Sequence, residues 1–76
     1  MNALRRRHLE AILCQLEISK VQLIDMQEDE LAARDNIPKE MEGGPIWARA
    51  NKYVQDIRLA VERLEDAIAA VQEALD

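Results

Sequence analysis

Both prolines and both glycines of this chain fall within residues 38–45, in the stretch Pro38-Lys39-Glu40-Met41-Glu42-Gly43-Gly44-Pro45. On either side lie about 30 residues with no helix breaker, and that arrangement constrains the fold most. Proline disfavours helical geometry in the residue before it, here Ile37, and Asn36 tolerates the left-handed turn that ends many helices. Pro45 suits the first turn of a new helix, with Gly44 as a permissive cap. The punctuation predicts helix 1 over about 3–34, a turn over about 35–44 and helix 2 over about 45–75. Asn2 is placed to cap the start of helix 1, and residues 38–41 can form one short helical turn.

Apolar periodicity supports both helices. In the first run Leu9, Ile12, Leu13, Leu16, Leu23, Ile24, Met26 and Leu31 recur at helical spacing. In the second, three heptad positions are apolar: Ala50, Ile57, Leu64 and Val71; Ile46, Tyr53, Ala60, Ala67 and Ala74; Trp47, Val54, Val61, Ile68 and Leu75. Three positions in seven make the wide face of a bundle helix. Apolar residues are 49% of the chain and aromatics only 3%, without Phe, so the core is aliphatic and suited to helices.

Two such helices joined by about ten residues fold back as an antiparallel, coiled-coil-like hairpin, a single domain over residues 1–76. Charge points the same way. Helix 1 opens with Arg5, Arg6, Arg7 and His8 and closes near Glu28, Asp29 and Glu30, both against the helix dipole. An antiparallel partner would bring the basic start near Glu65, Asp66, Glu73 and Asp76, and the acidic end near Arg49 and Lys52.

A hairpin alone does not account for Leu4, Ala11, Cys14, Ile18 and Val21. They form a second stripe on helix 1, roughly opposite Leu9, Leu16 and Leu23, and in a lone hairpin they face water. A second copy covering them would make a four-helix-bundle dimer, so these five residues are the expected oligomer interface.

No catalytic constellation is visible, no cofactor is expected, and no small-molecule substrate is implied. His8 has no partner at metal-ligand spacing, and Cys14 has no base placed near it in sequence. A lone cysteine cannot build an internal disulfide framework. With no run of transmembrane length, and with the apolar run after the basic start interrupted by Glu10, Gln15 and Glu17, the expected location is cytoplasmic, away from membranes. Net charge is −5, so nucleic acid is not the expected partner. Arg5, Arg6 and Arg7 are the only candidate phosphate contacts. Trp47 and Tyr53 are candidate anchors for a protein partner.

The order of parts resembles that of short, uncharacterised helical-hairpin proteins of bacterial phages, prophages and mobile elements. The residues that carry the likeness are the basic start before Leu9-Glu10-Ala11-Ile12-Leu13-Cys14-Gln15-Leu16-Glu17, the turn Asp35-Asn36-Ile37-Pro38 with Glu40 and glycines soon after, and the Ala-rich second helix. That group has no established activity to carry over. Secreted helical hairpins with a Trp-x-Gly turn are a poorer fit, because Trp47-Ala48-Arg49 lacks the glycine. Small size, acidity, the lack of a catalytic constellation and the phage-like resemblance together point to a non-enzymatic interaction protein that binds and occludes a host protein, for example an anti-CRISPR-type inhibitor of a defence nuclease. The alternatives are a structural oligomerisation module and, more remotely, a DNA-associated regulator using the basic N-terminus.

Overall fold

A computed structural model describes all of residues 1–76 and consists of two long helices joined by a short turn. Helix α1 spans Ala3–Asp35 and helix α2 spans Pro45–Leu75, with a single 3-10 turn at Lys39–Met41 between them. The helices pack antiparallel along their length into a rod of 60 × 15 × 13 Å.

The ends are formed by the residues the sequence points to. Asn2 caps α1, its Oδ1 accepting from the Arg5 amide at 2.8 Å. Gly44 caps α2, and Pro45 occupies its first turn. Gly43 has φ +82°, a backbone conformation that a side chain disfavours. Asn36 departs from expectation. It stays right-handed at φ −84° and ends α1 by donating its amide to the Ala32 carbonyl. The reversal therefore falls on Gly43.

Four residues are buried, and all belong to α2: Val54, Val61, Ile68 and Leu75. They share one heptad position, and half-buried Ala50, Ile57, Leu64 and Val71 share the other seam position. The third apolar position, Ile46 through Ala74, stays exposed. Only two of the three apolar positions of α2 are used within the hairpin.

On α1 no residue is fully buried. Its half-buried seam reads Leu9, Leu13, Leu16, Lys20, Leu23, Gln27, Glu30 and Arg34, with Ile24 beside it. The apolar face read from periodicity therefore needs correction. Ile12, Met26 and Leu31 are 37%, 53% and 38% exposed, and the polar residues Lys20, Gln27, Glu30 and Arg34 take seam places towards the turn. The long stems of Lys20, Gln27, Glu30 and Arg34 can cover apolar surface while their polar ends reach water. That lets a polar residue occupy a seam place between two narrow helices.

The expected cross-helix ion pairs are also absent. Three of the four ion pairs join residues four apart on one helix, Arg6–Glu10, Lys52–Asp56 and Arg58–Glu62, and the fourth joins neighbours Arg34 and Asp35. Exposed pairs of this kind contribute little to stability. The pairing energy comes from apolar contact along the seam.

Candidate interaction surfaces

Arg34 ties the turn end together. Its Nη1 donates to Asn51 Oδ1 across the hairpin at 2.8 Å, its Nε donates to Asp35 Oδ1 at 3.2 Å, and its guanidinium carbon lies 5.7 Å from the centroid of the Trp47 ring. Trp47 is half-buried, and it lines an open groove with Arg34, Asp35, Ile37, Lys39 and Glu42. Arg34 is thus the cation over its ring, and Ile37 shares the groove. Leu31 and Met41, 38% and 41% exposed, do not line that groove.

The Arg34–Asn51 bond sets the register of the hairpin. With those two residues level, Leu23, Leu16 and Leu9 come within one residue, about 1.5 Å, of the levels of Val61, Ile68 and Leu75. Both helices are right-handed and run in opposite directions. The residue just before Leu13 or Gln27 on α1, and the one just before Val54, Val61 or Ile68 on α2, therefore point to the same side of the rod. That side carries Ile12, Ser19, Met26 and Ala33 from α1 and Ile46, Tyr53, Ala60, Ala67 and Ala74 from α2. All nine are exposed, and none is charged. The opposite side carries Glu10, Glu17, Asn51, Arg58, Glu65 and Gln72, with Ile24 and Leu31. One flank of the hairpin is apolar and the other mostly polar. Sequence periodicity alone did not show the apolar flank, because it exists only once the register sets the two stripes side by side.

The stripe expected from the sequence lies on the outer face of α1. Leu4 is 76% exposed, Ile18 54% and Val21 59%, and Ala11 and Cys14 are exposed as well. They lie on one side of one helix, away from the seam. Tyr53 belongs to the apolar flank and Trp47 to the turn, so the two candidate anchors do not form one patch.

Arg5, Arg6 and Arg7 are exposed at the start of α1, and Arg6 reaches Glu10 at 3.7 Å. Consecutive residues on a helix point about 100° apart, so the three guanidinium groups fan out and do not line one phosphate track. Beside them an open apolar groove is lined by Met1, Arg5, His8, Leu9 and Ile12. Nowhere do three His, Cys, Asp or Glu side chains converge in a geometry suited to a metal ion. No helix is long and apolar enough to cross a membrane. Asp56 holds the exposed Lys52 ammonium above the ordinary lysine range by hydrogen bond and charge.

Comparison with protein-family models, with curated proteins and with solved structures finds no match to this chain.

Proposed function

We propose that the chain is a non-enzymatic protein-interaction module whose exposed apolar surfaces act by covering other protein surface. The observation that carries this reading is surface area. The hairpin exposes 5838 Å², whereas a compact chain of 8.7 kDa exposes about 4,700 Å². The excess of about 1,100 Å² is larger than the roughly 800 Å² that each partner buries in a standard stable interface. Large apolar residues contribute to it on two separate surfaces, the outer stripe of α1 and the flank shared by both helices.

The mode of action we infer is occlusion: the rod lies along a partner and blocks what that partner would otherwise bind. A host protein is the partner that suits a small acidic chain with this phage-like order of parts, and inhibition of a defence nuclease is one concrete form. The flank favours a second reading, an oligomerisation module, because a surface built from both helices also suits a further copy of the chain.

The test is capture by the immobilised hairpin, followed by reconstitution with the purified target. The wild-type chain should retain a protein at a fixed ratio, and Ile18→Glu with Val21→Glu should lose it while remaining helical by circular dichroism. Equal capture by wild type and by variants on both apolar surfaces would refute the reading.

A further inference from the structure

We infer that the apolar flank, and not the outer stripe of α1, is covered by a second copy of this chain, related by a two-fold axis perpendicular to the rod at the level of Ala60. The inference deepens the interaction reading above and rests on it. It starts from the sizes of the flank residues. Along α2 the large residues Ile46 and Tyr53 stand at one end and the small residues Ala67 and Ala74 at the other. A two-fold axis through Ala60 sets Ile46 against the second copy's Ala74 and Tyr53 against its Ala67, with Ala60 facing itself. Self-complementarity of this kind is what a symmetric interface requires.

The α1 half of the flank repeats the pattern independently. A two-fold midway between Ser19 and Met26 sets Met26 against the second copy's Ser19 and Ile12 against its Ala33. In the hairpin register that midpoint lies about 4 Å along the rod from the level of Ala60, less than one helical turn, at 1.5 Å rise per residue. One axis therefore serves both helices. Alanine at the α2 crossing also permits close approach of the two helix axes.

Charge at the rim selects this axis over its competitor. The same axis brings Asp56 and the second copy's Arg63 to within about 1.5 Å of one level, on the outer edge of the flank, and the pair occurs twice by symmetry. Arg63 makes no ion pair within its own chain, and Asp56 is bonded only to Lys52. An axis along the rod would instead set α2 against the second copy's α1 and bring Asp56 level with Asp29, two like charges. The excess surface noted above is enough to supply such an interface.

The test is sedimentation equilibrium of wild type and variants, with helicity checked by circular dichroism. Wild type and Ile18→Glu should sediment as dimers, whereas Ala60→Glu, at an exposed position on a helix, should stay helical and become monomeric. Asp56→Arg and Arg63→Asp should each raise the dissociation constant about tenfold, as expected when two exposed pairs become repulsive, and the double swap should restore it. In a Cys14→Ser background, Ala60→Cys should oxidise to a disulfide-linked dimer. A dimer that Ile18→Glu dissociates and Ala60→Glu does not would place self-association on the outer stripe and overturn the inference while sparing the interaction reading. A wild-type monomer that still captures a target would do the same. Failure of the double swap to restore association would overturn the axis.

Discussion

The Arg34 guanidinium stands 5.7 Å from the centre of the Trp47 ring, while one of its nitrogens bonds Asn51 on the same helix as that ring. A single side chain from α1 thus holds two residues of α2, one turn apart, at the closed end of the hairpin. It also sets the register from which the surface argument follows.

Trp47→Ala should destabilise the hairpin by about 2 kcal/mol, less than a fully buried Trp would cost, because the ring is only half covered. Arg34→Ala should cost about 1 kcal/mol, from a cation–π contact and a charged hydrogen bond near the surface. The two losses overlap, so the double variant should lose less than their sum. Urea melts of the three variants measure this. An unchanged midpoint for Trp47→Ala would make the ring a partner anchor and not part of the fold.

Gly43→Ala should cost about 1 kcal/mol, because φ of +82° is strained for any side chain although the space around it is open. Gly44→Ala meets a different obstacle. Its backbone is ordinary, but a Cβ there would sit 3.1 Å from the Met41 carbonyl oxygen. D-Alanine introduced at each site by chemical synthesis separates the two: it should be tolerated at 43 and bring no gain at 44. Thermal midpoints decide.

How far the fold was legible follows from particular residues. Pro38, Gly43, Gly44 and Pro45 reveal the turn, because backbone sterics act locally and leave a local trace. The α2 seam is legible because Val54, Val61, Ile68 and Leu75 repeat without exception. The α1 seam was less so. Lys20, Gln27, Glu30 and Arg34 occupy its places with stems that cover apolar surface, so a pattern of apolar residues alone points to Ile12, Met26 and Leu31 instead. Of the charges expected to pair across the hairpin, Arg6 and Lys52 find an opposite charge four residues along their own helix instead, at Glu10 and Asp56. The apolar flank needs register, a property of the pair of helices, and no window on one helix contains it.

The polar seam of α1 yields its own prediction. Gln27→Leu should stabilise the hairpin by about 1 kcal/mol, since half-buried Gln27 lies within one residue of the level of Ile57 and gains apolar burial without a lost partner. Val54→Ala, at the least exposed residue of the chain, should cost about 2 kcal/mol. Chemical denaturation of both variants at equal protein concentration should move their midpoints in opposite directions. A destabilised Gln27→Leu would mean that the polar seam residues carry pairing specificity.

The proposed dimer rests on one claim, that a second copy supplies the burial this rod lacks. Thermal unfolding of the wild-type chain followed across about a hundredfold range of concentration tests it directly, because association of folded chains makes the midpoint depend on concentration. The account predicts a midpoint that rises steadily with concentration, together with a mass of twice 8.7 kDa at the upper end. A midpoint that does not move, in a folded protein whose mass stays at 8.7 kDa throughout, would contradict it.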